Sequence, residues 1–256
     1  MKYVGSAFSD VGNIKETNQD SISIIVAQEY TGEQAAMMVM CDGMGGYEKG
    51  ELASATVVKA FRKWFNDELP KMLEHFDWQD LKKRWEEICQ DQGKKIYEFG
   101  VNSGIRLGTT LSAIFFYQER YMLIHVGDSR IYQVDNNLTQ LTTDHSFVER
   151  EVRAGRMSRE QARVDKRRNM LLQSIGASEE IIPEIRFGTV TGEATYMSCS
   201  DGLVHELSDQ EIYQALNPAA LNSLQAMEYT GKMLVDTVKQ RNERDNVTIG
   251  ILRAVR

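Results

Sequence analysis

The sequence predicts an α+β fold in which sheets pack against each other and helices lie on the outside. Short apolar or β-branched runs typical of strands occur in several groups along the chain. A few long amphipathic segments interrupt these groups. Because the early strands are not joined by regular single helices, the pattern does not indicate a parallel doubly wound sheet.

Eight segments are predicted as strands. They cover residues 2–8, 21–27, 35–41, 109–117, 121–126, 131–134, 194–200 and 247–252. The fourth and fifth are separated only by Gln118, Glu119 and Arg120, which predicts a hairpin.

Three long helices are predicted from apolar residues that recur on one face. The faces comprise Ala53, Val57, Ala60, Phe61 and Trp64; then Leu81, Trp85, Ile88 and Phe99; and finally Leu224, Met227, Leu234, Val235 and Val238. We expect all three faces to pack against the core, since such stripes are more often core than binding surface.

The composition indicates one soluble globular domain, with 42% hydrophobic and 26% charged residues over 256 positions. A net charge of -7 argues against a general nucleic-acid binder. No apolar run is long enough to span a membrane, and residues 1–10 lack the pattern of a signal peptide. Cys41, Cys89 and Cys199 are far apart and odd in number, which predicts free thiols in a reducing cytoplasm.

An insertion between about residues 146 and 185 is predicted to be helical and strongly basic. Residues 150–168 carry a net charge of +5. Their arginines recur every three or four residues and would spread along one broad helical face: Arg150, Arg153, Arg156, Arg159 and Arg163. Two interpretations stay open, a solvated surface partly compensated by Glu151 and Glu160, or a patch that attracts acidic segments.

Aspartates stand at the ends of several predicted strands. Asp42 and Asp201 each follow an apolar strand and precede a glycine, Asp128 follows Gly127, and Asp245 precedes the last strand. An anion at the rim of a buried sheet is costly unless it is paired or bound to a cation. If they meet, these oxygens would suit magnesium or manganese. Each Asp-Gly could instead be a simple turn, and sequence alone does not show that the aspartates converge.

Seven motifs in order resemble the metal-dependent protein phosphatases, the type 2C serine/threonine phosphatases. They are the stretch from Ser9 to Asp20, Asp42-Gly43-Met44-Gly45-Gly46, Leu107-Gly108-Thr109-Thr110, Gly127-Asp128-Ser129-Arg130, Thr143-Asp144-His145-Ser146, Ser200-Asp201-Gly202 and Asp245-Asn246-Val247-Thr248. The resemblance covers nearly the whole chain, and its compact form is similar to the bacterial branch. It implies a central antiparallel β-sandwich flanked by helices in α/β/β/α layers, with the basic insertion as a helical flap.

The resemblance also implies roles for individual residues. Asp42, Asp201 and Asp245 would be the catalytic metal ligands, with the Gly43 carbonyl and Asp20 completing the set around two manganese or magnesium ions. Asp144 would help to bind a third ion, whereas Asp128 would support the sheet rim. The ions would activate a water for in-line attack on phosphorus, without a nucleophilic cysteine or serine.

Two positions depart from the family pattern. Lys15 stands where many members carry an arginine that binds the substrate phosphate, so we expect a point charge in place of a bidentate fork. Met44 stands where some members carry a histidine proposed as a general acid. His145 could supply the acid, although a structural histidine is the other interpretation.

The resemblance implies phosphorylated proteins as substrates and a serine/threonine kinase as the opposing enzyme. We expect a cytoplasmic monomer with no nucleic-acid or membrane partner. Two alternatives remain: a pseudophosphatase that binds phosphoproteins without turnover, and another two-metal hydrolase such as a nuclease. The complete set of aspartates argues against the first, and the acidic charge balance argues against the second.

Overall fold

Two antiparallel sheets form a sandwich in the computed structural model, which describes residues 1–45, 49–178, 180–190 and 192–255. Gly46 of the second motif and Glu179 of the insertion lie outside the described residues. The strands are β1 (Lys2–Asp10), β2 (Asp20–Gln28), β3 (Gln34–Gly45), β4 (Leu107–Thr109), β5 (Leu111–Tyr117), β6 (Arg120–Val126), β7 (Arg130–Val134), β8 (Leu138–Gln140), β9 (Glu184–Thr189), β10 (Ala194–Cys199) and β11 (Val247–Val255). One sheet has the order β1-β11-β10-β7-β8, and the other has the order β2-β3-β5-β6-β9 with β4 paired to β3.

Helices cover the outer faces of both sheets. These helices are α1 (Gly50–Lys63), α2 (Leu69–Met72), α3 (Trp78–Ser103), α6 (Asp201–Glu206), α7 (Asp209–Leu216) and α8 (Leu224–Gln240), whereas α4 (Phe147–Arg153) and α5 (Arg159–Val164) belong to the insertion. A π-helical turn at Trp64–Glu68 continues α1 into α2. Among the described helices, none is long and apolar enough to cross a bilayer.

Three apolar clusters hold these four layers together. One joins the β2–β9 sheet to α1 and α3, as Val57, Trp85 and Phe115 show. A second joins the other sheet to α6, α7 and α8, and a third fills the space between the sheets. Central strands such as β5 and β10 are buried along their whole length, which explains why their sequences are mostly apolar. The predicted α/β/β/α sandwich is therefore confirmed.

The strand register brings one end of each central strand to a common rim. Asp20 at the start of β2 lies opposite Asp42 near the end of β3. In the other sheet, Cys199 at the end of β10 lies opposite Ile249 near the start of β11. Since neighbouring strands are antiparallel, the ends of β3 and β10 meet the starts of β2 and β11.

The predicted strands are confirmed with small shifts of their ends, and the β5–β6 hairpin is as predicted. Gln118 and Glu119 form its turn with positive φ values of 50° and 59°. The predicted strand 109–117 is wrong at Thr110, where the chain passes from β4 to β5. Two strands were not predicted: β8 has only three residues, and three of the six residues of β9 are exposed.

Two residues of the predicted helix faces do not belong to the core. Phe99 is 38% exposed, because the buried face of α3 continues through Ile96 to Gly100. Leu224, which begins α8, is 43% exposed. The other members of the three predicted faces are buried or half-buried.

The insertion is not one helix, so its arginines do not share one helical face. The short helix α4 ends before Gly155, which has a φ of 69°, and Ser158 caps α5 through a capping box. Arg156 lies between the helices and pairs with Glu151. Two short antiparallel bridges close the base of this flap. One bridge joins Ser146 to Leu171, and the other joins Thr109 to Ile175.

Ion pairs within the flap compensate part of its charge. Arg150 also pairs with Glu151, while Arg159 pairs with Glu149 and Arg167 with Asp165. Among the described residues, no ion pair is found for Arg153, Arg163 or Lys166. The basic patch is therefore smaller than the sequence count suggests.

Candidate functional site

Four aspartates lie at the common rim of the sandwich. Asp20 and Asp42 face each other across β2 and β3. Asp201 is the first residue of α6, directly after β10, and Asp245 lies two residues before β11. The topology therefore brings together the aspartates that the sequence could place only at separate strand ends.

Glycines beside two of these aspartates permit close backbone approach. A Cβ atom at Gly43 would collide with the carbonyl oxygen of Gly50, and one at Gly202 would collide with that of Asn246. The Asp-Gly pairs are thus required by packing at the rim and are not simple turns.

The Thr109-Thr110 pair fixes the backbone of Asp42. The Thr110 N–H and the Thr109 hydroxyl donate to the Asp42 carbonyl oxygen, each over 2.9 Å. The Asp42 N–H donates to the Thr110 hydroxyl over 2.8 Å. The third motif therefore positions the backbone of Asp42. The sequence alone did not predict this role.

The aspartates repel one another in a poorly solvated site. Burial raises the pKa of Asp20 to about 7 and raises the pKa of Asp42 well above its ordinary value, with further contributions from neighbouring carboxylates. The pKa of Asp201 is also raised, chiefly by burial. Asp128 belongs to the same cluster, because burial and then repulsion from Asp201 and Asp144 raise its pKa. Such a cluster is stabilised by a cation.

Asp20 provides a test of whether the site suits a metal ion. Neither of its carboxylate oxygens has a hydrogen-bond partner within the described part of the chain, and the residue is only 9% exposed. The hydroxyls of Thr248 and Ser200 lower its pKa in part, yet neither reaches hydrogen-bonding geometry. An unpartnered, buried carboxylate beside three others fits a hard cation with oxygen ligands.

Lys15 lies beside this cluster and forms an ion pair with Asp245, with a distance of 2.9 Å between Nζ and Oδ1. Burial lowers the pKa of Lys15, but the carboxylates of Asp245, Asp42 and Asp201 outweigh it and leave the pKa raised. The Lys15 side chain is 42% exposed. A cation thus stands at the mouth of the site, where the sequence analysis predicted a phosphate ligand.

Asn246 connects the segment that carries Lys15 to Asp245. Its side-chain oxygen accepts from the Gln19 N–H over 2.9 Å. Its amide donates to the carbonyl oxygens of Val11 and Thr17 over 2.9 and 3.2 Å. Asn246 belongs to the last of the seven sequence motifs, but only the structure shows which backbone groups its side chain contacts.

Asp144 is engaged by a neighbouring arginine. Arg130 Nη2 lies 2.7 Å from Oδ2 of Asp144, and its Nε lies 3.0 Å from Oδ1. Gln140 also donates to Oδ1 over 3.0 Å. The role of Asp144 at a third metal stays a prediction. Asp128 lies closer to the cluster, since its carboxylate contributes to the raised pKa of Asp42.

His205 and Glu243 are further members of the site that the sequence analysis missed. His205 Nε2 lies 3.5 Å from an oxygen of Asp201, and Nδ1 lies 3.4 Å from an oxygen of Glu243. Glu243 also accepts from the Asp245 N–H over 3.0 Å. No motif marked these residues, because only the fold brings α6 beside the segment before β11.

His145 is a structural residue in this arrangement. Its Nδ1 accepts from the Gly127 N–H over 3.2 Å and from the Gln173 amide over 2.9 Å, and burial lowers its pKa. Its ring, His125 and Glu184 offer ligand atoms within 4.8 Å of one another. However, His125 Nε2 donates to the Thr143 carbonyl oxygen, and Glu184 accepts from the Thr143 N–H. This group is therefore a filled hydrogen-bond network at the base of the flap.

Cys41, which precedes Asp42, and Cys199, which lies two residues before Asp201, are not activated. All three cysteines are free and buried. Burial raises the pKa of Cys199 to about 12 and that of Cys41 well above its ordinary value. Neither thiol is a nucleophile at neutral pH, as the sequence analysis expected.

Comparison with known proteins shows that the chain is similar to protein phosphatases in both sequence and structure. The family model for protein phosphatase 2C matches residues 13–239. The protein phosphatase PhpP of Streptococcus pneumoniae is 31% identical over 213 residues, which is 81% of this chain and 81% of the relative. The serine/threonine phosphatase of S. agalactiae superposes with a TM-score of 0.84 at 26% identity over the full length of both chains. The catalytic domain of the phosphatase PstP in complex with two manganese ions superposes with a TM-score of 0.79 at 28% identity over 99% of both chains.

Proposed function

The chain belongs to the protein phosphatase 2C family, and on that premise we propose how this metal-dependent serine/threonine protein phosphatase works. Asp42, Asp201 and Asp245 hold two core ions, supported by Asp20 and the carbonyl oxygen of Gly43. The convergence of these aspartates at one rim, with both oxygens of Asp20 unpartnered, carries the proposal. Bound there, manganese or magnesium would supply a Lewis acid that activates water and neutralises phosphoryl charge.

Lys15 holds the phosphate of the substrate. Its ammonium group is paired with Asp245 and is partly exposed at the mouth of the site. A phosphate dianion offers this group a stronger partner than a shared carboxylate, and lysine binds it as a point charge. A third ion would lie beside Asp144 or Asp128 on the flap side of the cluster.

The substrates are phosphoproteins, and we propose that they include a bacterial serine/threonine kinase and the targets of that kinase. Three arginines of the flap have no ion pair among the described residues, Arg153, Arg163 and Arg168, and these attract acidic segments of the substrates. Every proposed site residue comes from one chain, so the site needs no second subunit, and we propose a monomer. Three buried free thiols support a reducing compartment such as the cytoplasm.

The test is dephosphorylation of a phosphothreonine peptide, compared with cleavage of a single-stranded oligonucleotide, both with manganese. We expect peptide turnover that excess EDTA abolishes, because oxygen ligands hold these ions without a soft anchor. The matched variants are Asp201→Asn, which should be inactive, and Asp91→Asn, an exposed change on α3 that should behave as wild type. Peptide binding without turnover would favour a pseudophosphatase, and cleavage of the oligonucleotide would favour a nuclease.

A further inference from the structure

A groove of about 550 Å³ opens beside the acidic rim. Its lining includes Met44 and Arg106 on one side and Leu171, Leu172 and Ala177 from the returning end of the flap on the other. Met44 follows the proposed metal ligand Gly43 directly and pairs with Gly108 of β4. The groove therefore adjoins the proposed metal ligand Gly43 at Met44.

The walls of this groove are fixed before any substrate binds. Thr109 and Ile175 exchange two backbone hydrogen bonds of 2.9 and 2.8 Å, which attach the flap to β4. A second pair attaches the flap to its own base: Leu172 N–H donates to the His145 carbonyl oxygen, and Phe147 N–H to that of Met170, both over 2.8 Å. A preformed groove binds with a smaller ordering cost than one that must assemble.

The lining combines exposed apolar side chains with one uncompensated charge. Leu172 is 45% exposed, and Met44 is partly exposed. Arg106 is exposed, and neither an ion pair nor a hydrogen bond to its guanidinium is found within the described ranges. The groove therefore offers contact for an apolar side chain and attraction for a carboxylate.

We propose that this groove is the subsite for substrate residues flanking the phosphothreonine, and that it selects an apolar residue next to the phosphoresidue with an acidic residue beyond it. The inference rests on the proposed function, because the groove matters only if a phosphoprotein occupies the rim. A flanking substrate segment is the occupant that fits, since Met44, the neighbour of Gly43, lines the groove and Arg106, unpaired among the described residues, complements an acidic chain.

Two phosphothreonine peptides of equal length test the preference without any mutation. The first peptide carries leucine on both sides of the phosphothreonine and glutamate at the third position on each side. The second peptide carries serine in place of each leucine and lysine in place of each glutamate. This symmetric design makes the result independent of the direction in which the peptide lies. We expect kcat/KM of wild type to be about tenfold higher for the first peptide.

Variants then assign the preference to the groove. Arg106→Glu should lower kcat/KM about fivefold for the glutamate peptide and raise it for the lysine peptide. Leu172→Ser should lower kcat/KM for the leucine-glutamate peptide and leave that for the serine-lysine peptide nearly unchanged. Arg62→Glu and Val164→Ser are matched exposed changes outside the groove and should have no effect. Hydrolysis of a small aryl phosphate should be unchanged in all four, since it does not reach the groove.

Equal turnover of both peptides by wild type, or an unchanged preference in Arg106→Glu, would overturn the subsite while leaving the proposed function standing. Absence of turnover of either peptide with saturating manganese would overturn the proposed function itself. A loss in Arg106→Glu that is equal for both peptides and the aryl phosphate would show a general effect on the rim, and the subsite would be wrong.

Discussion

Replacement of Asn246 by alanine should destabilise the protein and weaken substrate binding together. The Asn246 side chain is 3% exposed and makes three hydrogen bonds, to the backbones of Val11, Thr17 and Gln19. Each such bond contributes about 0.5–1.5 kcal/mol, so their combined loss should cost about 2–4 kcal/mol. For a domain of this size, that cost corresponds to a fall in Tm of about 5–15 °C.

The functional effect of this change follows from what the side chain holds. Asn246 attaches the segment containing Lys15 to the strand start beside Asp245, so its loss should let that segment move away from the rim. We therefore expect a higher KM for a phosphothreonine peptide at a temperature where the variant is fully folded. Thermal unfolding measured with and without manganese reports on the metal site independently of turnover.

Thermal unfolding with and without manganese, followed by peptide kinetics at 20 °C, measures both effects. Asn102→Ala, on the exposed end of α3, is the matched control and should change neither quantity. Asn246→Asp keeps the acceptor for Gln19 but faces the Val11 and Thr17 carbonyl oxygens with no donor, so it should be at least as damaging as alanine. A fall in Tm below about 2 °C for Asn246→Ala would refute the reasoning, because three lost buried bonds require more.

Three further predictions concern the rim and the flap. Asp201→Asn should abolish turnover at saturating manganese without lowering the metal-free Tm, because removing one anion relieves repulsion in the cluster; wild-type turnover would show that it is not a core ligand. Lys15→Ala should raise KM for a phosphopeptide more than it lowers kcat, and Lys15→Arg should restore binding through its fork geometry; unchanged kinetics in the alanine variant would rule out the contact. The double change of Arg153 and Arg163 to glutamine should lower kcat/KM on a phosphopeptide at low salt, less so at high salt, and spare an aryl phosphate. Equal losses on both substrates would instead mean that the flap supports the metal site.

Most of the fold could be predicted from sequence because buried strands and amphipathic helices leave strong local patterns. β5 is apolar except at Ser112, and β10 except at Thr195 and Ser198, since both faces of each strand are covered. The misses have local causes as well. β9 has only two apolar side chains, Ile185 and Phe187, of which Phe187 is 40% exposed, and β8 has only three residues, so both patterns are too weak to distinguish a strand from a loop.

The flap shows where local pattern misleads. Arginines at spacings of three and four suggested one basic helix, but Gly155 in the left-handed region and the capping box at Ser158 divide it into two. The acidic residues then decide which charges stay available. Glu151 forms ion pairs with both Arg150 and Arg156. No spacing rule predicts this pairing, because it depends on how the chain turns between the two helices.

Sequence alone determined the family resemblance, the candidate aspartates and the apolar strands that end in them. Tertiary structure alone decided which of these groups meet. Asp20 and Asp42 come together through the antiparallel register of β2 and β3, while Lys15 and Asp245 pair across 230 positions of the chain. The placement of Asp144 against Arg130 and of His205 between Asp201 and Glu243 was equally invisible in the sequence. The physical reason is that charge interactions depend on distance in space and on burial, and both are set by packing between elements far apart in the chain.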